Sequence, residues 1–284
     1  MEIEKGDIVV RISYGKDVFF KIVTVDHRAG VAQLKGIDLR LCADAPLSDL
    51  VRPGIGELAN YRAHALKLRV EMVSKANRAR QQLGGHRVKN SKSAPDYVNI
   101  PGTVLHLDGD PEYMGICKKA YDELQMVSNC FHISEENQPD RVEMLLQQYK
   151  PDFLVITGHD GMIKGDGGEG TERYHSSGHF VAAVTRARAY QSSKDDLVIF
   201  AGACQSWYQG LIGAGANFAS SPERVLIHCL DPVLIAEKVA YTPVAKTINI
   251  YDTLVQSVTG LKGVGGIESR GQFRVGLPKL KSRL

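Results

Sequence analysis

The chain has 284 residues, 43% of them hydrophobic and 24% charged, which is ordinary globular composition with enough length to bury a substantial core. Its formal net charge of +3 is too small to argue for nucleic acid as a partner, and no apolar run approaches the about 18 residues of a membrane span. The five cysteines, Cys42, Cys117, Cys130, Cys204 and Cys229, are irregularly spaced and form no CxxC pair, which points to reduced cytoplasmic thiols rather than a disulfide framework or zinc site.

The first residues, MEIEKGDIVV, lack a basic region followed by an apolar stretch and do not read as a secretory signal. Short bursts of alternating apolar and polar residues follow, at Asp7 to Arg11, Val18 to Val23 and Val31 to Leu34, separated by Gly- or Asp-containing turns. They predict a small SH3-like β-barrel over residues 1–52, read as a docking or regulatory appendage. Pro53-Gly54 ends that pattern. Ile55 to Leu83 then reads as one helix with a basic face, taken as solvated rather than as a nucleic-acid surface. Gly84 to Ser93 is a polar, basic, glycine-containing linker of the kind proteases nick. These features give a basic helix and linker over 53–100.

From Pro101 strands and helices alternate. Strands are expected at Thr103 to Leu107, Val127 to Ile133, Phe153 onward, Leu197 to Ala201, Ala216 to Ala219 and Val225 to Cys229. Helices are expected at Pro111 to Gln125, Pro139 to Tyr149, Gly178 to Tyr190 and Trp207 to Gly213, with a helical tail over Thr247 to Leu261. Alternation of this kind predicts an α/β domain over 101–284 with a parallel sheet and helices on both faces.

Two apolar runs in this domain end in reactive residues. FLVITGHDG puts His159 after the run that begins at Phe153, and LVIFAGACQS puts Cys204 after the run that begins at Leu197. Short apolar runs bounded by Gly read as buried parallel strands, and chemistry in open α/β sheets sits past their carboxyl ends. A cysteine attacks a carbonyl as the thiolate, so it needs a base or a lowered pKa. The oxyanion that forms wants main-chain N–H donors. His159 can supply the base, and Asp160 or Gly161 the donors. Cys42, Cys117, Cys130 and Cys229 lie in or beside apolar segments and read as structural thiols. His106, His175, His179 and His228 are rival bases. Asp108 and Asp110, with His106, could hold Mg²⁺, but the pair reads more simply as a helix cap and turn. No metal or other cofactor is expected.

Caspases carry a Gln-Ala-Cys signature with the histidine about 50 residues upstream. Here Gly202-Ala203-Cys204-Gln205 places its cysteine 45 positions after His159, and the chain resembles the caspase-like clan of cysteine peptidases. It departs from that clan in one respect, since Asp160 rather than Gly follows the histidine. A wider resemblance rests on Gly6-Asp7, the run Pro101 to Asp110, Val155 to Asp160, Phe200 to Ser206, Ala214 to Pro222 and Gly265 to Glu268. These are similar to the YabG family of sporulation-specific proteases. That resemblance implies a caspase-like peptidase domain with Cys204 as nucleophile and His159 as base. It also implies cleavage after Arg or Lys of spore-coat and related proteins in the mother-cell cytoplasm. Self-cleavage, a further implication, would fall in the basic stretch before Pro101. A preference for Arg or Lys needs a carboxylate in the pocket for the residue before the cut, and Asp160, Asp166, Glu169 and Glu172, all in the loop after His159, are the candidates.

Two other readings stay open. Gly202 to Ser206 faintly matches a glutamine-amidotransferase nucleophile turn, which would make His228 the base of an amidase. A non-enzymatic coat-assembly or nucleic-acid-binding protein would instead use the N-terminal module and basic helix, with an inert thiol.

Overall fold

The computed structural model describes residues 2–84, 98–163 and 170–276. The basic linker beyond residue 84 and the candidates Asp166 and Glu169 lie outside them. Strands β1 (Ile8–Arg11), β2 (Phe19–Asp26), β3 (Val31–Gly36), β4 (Cys42–Pro46) and β5 (Leu50–Val51) form one antiparallel sheet, ordered β4-β3-β2-β1-β5. Alternate side chains of these strands, among them Val9, Phe20, Ile22, Ala32 and Leu34, turn to one apolar cluster, as the two-residue period of a strand requires. Helix α1 (Ile55–Gly84) follows and sets Val73 into the core of the next part of the chain.

That part is an α/β layer. Its elements are β6 (Val98–Ile100), β7 (Val104–Asp108), α2 (Pro111–Glu123), β8 (Ser128–His132), α3 (Gln138–Tyr149), β9 (Phe153–Thr157), α4 (Ser177–Tyr190), β10 (Val198–Ala201), α5 (Tyr208–Ala214), β11 (Phe218–Ser220), α6 (Asp231–Tyr241), α7 (Ile250–Val255), β12 (Val264–Gly266) and β13 (Arg274–Gly276). The main sheet runs β12-β11-β10-β9-β7-β8. All its neighbours are parallel except β12, which closes the edge antiparallel to β11. β6 and β13 pair separately as a two-stranded antiparallel ribbon.

The expected α/β class with a mostly parallel sheet is therefore present, beside an antiparallel N-terminal sheet. Strand alternation sorts the core into two sides. Phe153 and Val155 of β9, with Val198 and Phe200 of β10, pack with α2 and α6. Leu154, Ile156, Ile199 and Ala201 face α3, α4 and α5. Three differences from the expected elements stand out. Val225 to Cys229 is not a strand; its one β-type pairing among the described residues is an isolated bridge, His228 to Leu39. α6 was not expected, because it is buried almost all round and shows no apolar stripe. The tail is helical only at α7 and a short 3-10 turn, Gly260–Lys262.

Candidate active site

β7 leads to β8 on one side of the sheet, whereas β9 leads through β10 to β11 on the other. The carboxyl ends of β7 and β9 thus flank the switch point where a crevice opens in such sheets. β7 ends in Asp108, His159 lies just past β9, and Cys204 just past β10. The turn after β10 needs Gly202. Its φ is +104°, and a Cβ there would meet Ser220 Oγ at 2.4 Å.

Asp160 ties the histidine loop to the cysteine loop. Its buried carboxylate accepts Ser206 Oγ at 2.7 Å and Ser177 Oγ at 2.5 Å, with the N–H groups of Ser176 at 2.8 Å and Gly161 at 2.9 Å. Ser206 Oγ in turn accepts the Ala203 N–H at 2.9 Å. Burial raises the Asp160 carboxyl above its usual range, against the pull of these bonds. The main-chain N–H of Asp160 points elsewhere, to the carbonyl oxygen of Arg40 at 3.2 Å. The Cys204 N–H donates to the same oxygen at 3.0 Å. Two amide donors from two loops therefore converge on one carbonyl. One of these donors is the Asp160 N–H, whereas the Gly161 N–H is turned to the Asp160 carboxylate.

His159 is buried and stacked on Tyr113, with ring centroids 4.9 Å apart and planes 24° from parallel. Its main-chain N–H is held by Glu135 Oε1 at 2.8 Å. Neither ring nitrogen has a hydrogen-bond partner among the described residues, and Nδ1 lies 3.8 Å from Asp110 Oδ2. Burial, then the charge of Lys35, pushes His159 well below its usual range, so the ring is neutral. The Cys204 thiol is buried too. Its Sγ accepts the Ile227 N–H at 3.1 Å, and burial pushes its pKa up despite that bond. A thiol so enclosed is protonated and unreactive.

Asp110 caps α2, with Oδ1 accepting the N–H groups of Glu112 at 2.8 Å and Tyr113 at 3.0 Å. That leaves Oδ2 for the His159 side. Asp108 is fully buried and accepts Arg40 Nη1 at 2.8 Å, with His106 Nε2 at 3.5 Å. Burial alone would raise the Asp108 carboxyl, but the Arg40 charge, helped by His106, holds it well below its usual range. His106, Asp108 and Cys117 have the spacing of a metal site. The Arg40 guanidinium supplies the cation there, reaching Cys117 Sγ at 3.5 Å as well as Asp108.

The rival bases are placed differently. His228 Nδ1 accepts the Leu230 N–H at 3.1 Å at the start of α6, and burial, then the Arg40 charge, lowers it to about 4. His106 Nδ1 faces the Tyr121 hydroxyl at 3.1 Å, and His175 and His179 are exposed. Glu172 is exposed on the Thr171–Arg173 turn. Sequence reasoning missed the pairing of Arg40 with Asp108. The DGD turn drew attention to Asp108, but nothing in its vicinity signals a partner 68 positions earlier.

A family model described as YabG peptidase U57 matches residues 4–278. The chain belongs to the YabG peptidase family. The sporulation-specific protease YabG of Bacillus subtilis (strain 168) is 40% identical over 289 residues, covering 98% of this chain and 99% of that protein. No solved structure matches. Membership of the YabG family makes the reaction hydrolysis of peptide bonds. The match spans the N-terminal sheet as well as the α/β layer, so both are part of the family's chain. Among the described residues, no helix is long and apolar enough to cross a membrane.

Proposed function

We propose that this chain is a cysteine endopeptidase that acts during sporulation on proteins of the forming spore coat in the mother cell, cleaving after Arg or Lys. The observation that carries this reading is the convergence of the Cys204 and Asp160 N–H groups on one carbonyl oxygen. A carbonyl held by the amide of the nucleophile's own residue and by the amide after the histidine is set up for acyl transfer, because the donors already point where negative charge develops. Cys204 is the nucleophile and His159 the base that takes its proton and returns it to the leaving amine. Asp110, 3.8 Å from His159 Nδ1, is placed to steady the imidazolium. Three strand ends that present an acid, a histidine and a cysteine in a row also support the caspase-like comparison made from the sequence. The relative's description as a sporulation-specific protease supports the biological setting.

The test is cleavage of a disordered Arg-containing protein by wild type, Cys204→Ala and His159→Ala, with cut sites read by mass spectrometry. Cuts after Arg or Lys are expected, lost by at least about 1,000-fold in both variants, in line with the non-additive collapse of a nucleophile–base pair. Undiminished cleavage by Cys204→Ala would dismiss the reading.

A further inference from the structure

Asp38 to Arg40 lies across the site as an extended peptide lies in a groove. Its partner is the stretch Ile227 to Cys229, within the Val225 to Cys229 segment that sequence reasoning took for a strand. Arg40 N–H donates to the Ile227 carbonyl at 3.3 Å, Leu39 and His228 are antiparallel bridge partners, and Cys229 N–H donates to the Asp38 carbonyl at 3.1 Å. Main-chain bonds of this type hold a peptide added to an exposed chain edge, while pockets for its side chains give selectivity. At the end of the pairing the Arg40 carbonyl takes the two N–H donors described above. Two residues on, Cys42 N–H donates to the Asp160 carbonyl at 2.8 Å. The segment is thus held on both sides of the Arg40–Leu41 bond.

The Arg40 side chain fills a dedicated pocket. It is wholly buried, with Nη1 on Asp108 at 2.8 Å and on the Gly158 carbonyl at 3.4 Å. Nη2 reaches the Cys229 carbonyl at 3.2 Å, and the guanidinium carbon sits 5.1 Å from the Tyr113 ring centroid. Enclosing a guanidinium and a carboxylate together is a poor way to gain stability, because desolvation offsets most of their attraction. It is a good way to select one side chain, since a planar fork matched by a buried carboxylate rejects uncharged residues.

Self-cleavage itself comes with the family resemblance; we propose that its bond is Arg40–Leu41 rather than one in the basic stretch before Pro101, that Asp38–Leu39–Arg40 is thus a built-in first substrate whose cleavage clears the groove, and that Asp108 is the carboxylate that selects arginine before the cut. This rests on the cysteine-peptidase reading above. In the first half-reaction Cys204 Sγ bonds to the Arg40 carbonyl carbon and the Arg40–Leu41 C–N bond breaks. The thiol proton passes through His159 to the Leu41 amine. Water then hydrolyses the thioester, leaving an Arg40 carboxylate and returning a proton to sulfur. Until the cut, the segment covers Cys204 and keeps the thiol enclosed and the groove closed to other chains. Afterwards Arg40 is a chain end, free to leave the pocket.

The test follows freshly purified full-length protein by intact mass and N-terminal sequencing, beside a separate peptide carrying one arginine. A fragment beginning at Leu41 is expected, at a rate independent of protein concentration and absent from Cys204→Ala. Asp108→Asn and Arg40→Gln should slow it at least about 100-fold, because a site built for a charged partner discriminates strongly against its loss. Arg40→Lys should be cut at the same bond more slowly, a point charge replacing the fork. Since those variants alter a buried pair, a second measurement uses wild type alone. A peptide aldehyde ending Asp-Leu-Arg should inhibit cleavage of the separate peptide at least about 100-fold better than one ending Asp-Leu-Gln. Wild type that cuts the separate peptide after arginine but leaves Arg40–Leu41 intact overturns the proposal and leaves the peptidase reading standing. Wild type that cuts neither overturns both. Equal potency of the two aldehydes, or an unchanged self-cleavage rate in folded Asp108→Asn, removes Asp108 from its assigned role.

Discussion

At Asp160 the main chain and the side chain have separate tasks. The N–H faces the carbonyl in the groove, while the carboxylate gathers four donors from the loops after β9 and β10. Asp160→Ala would leave those buried donors without an acceptor and is expected to cost about 3 kcal/mol or more, read by urea unfolding in a Cys204→Ala background. A cost under about 1 kcal/mol would mean water serves the donors equally well. The sequence made Asp160 visible as a departure from the glycine expected there and as one of four loop carboxylates, but nothing local showed that its carboxylate ties two loops together. Asp108 makes a pH prediction. Its carboxyl is held below the ordinary 3.8 by the Arg40 charge against the effect of burial. A folded pKa lowered in this way contributes stability that is full above the unfolded value and lost as pH falls through the folded one. Acid unfolding of Cys204→Ala should therefore be steeper below about pH 4 than that of the same chain with Asp108→Asn, monitored by fluorescence. Parallel acid curves would contradict the pairing.

Among the elements, the legible ones carry a period or a boundary. β9 and β10 were readable as unbroken apolar runs ending at glycine, and α2 as a helix opened by Asp110 and Pro111, whose cap the structure contains. α6 has no such signature. Val233, Leu234, Ile235, Ala236, Val239 and Ala240 are buried on several sides, so no polar face marks a helix. Val225 to Cys229 looked like a strand because it is a short, nearly unbroken apolar run. What it pairs with is the distant Asp38 to Arg40 segment, a long-range relation no local pattern encodes. α6 also holds Glu237, raised to about 7 by burial in spite of Arg80, 3.9 Å away on α1. With a folded pKa above the ordinary 4.5, its contribution is present at low pH and lost as pH rises through about 7. Thermal midpoints of Cys204→Ala should accordingly decline between pH 5 and 8, within the usual range of maximal stability, more than those of Cys204→Ala with Glu237→Gln. Identical profiles would show that Glu237 stays ionised throughout.

Across the whole molecule, the N-terminal sheet and the α/β layer share a core. Cys204 and Ile227 belong to the same apolar cluster as Val9, Phe20 and Leu34, and β4 begins where the groove segment ends. The sequence divided the chain near residues 52 and 100 from changes in pattern, which describe elements and not the contacts between them. With this sharing, far-UV circular dichroism and the fluorescence of the single tryptophan, Trp207, should report one coincident unfolding transition in Cys204→Ala. Two separated transitions would mean that the parts fold independently. The same sharing places the Cys204 thiol at the seam between the parts. The most direct measurement is covalent labelling of catalytically active wild type with a peptide chloromethyl ketone ending in arginine, followed by peptide mapping. One adduct is predicted, on Cys204, with loss of activity in proportion to labelling and no adduct in His159→Ala. An adduct on Cys42, Cys117, Cys130 or Cys229 that abolishes activity, or full activity with Cys204 alkylated, would contradict Cys204 as the nucleophile.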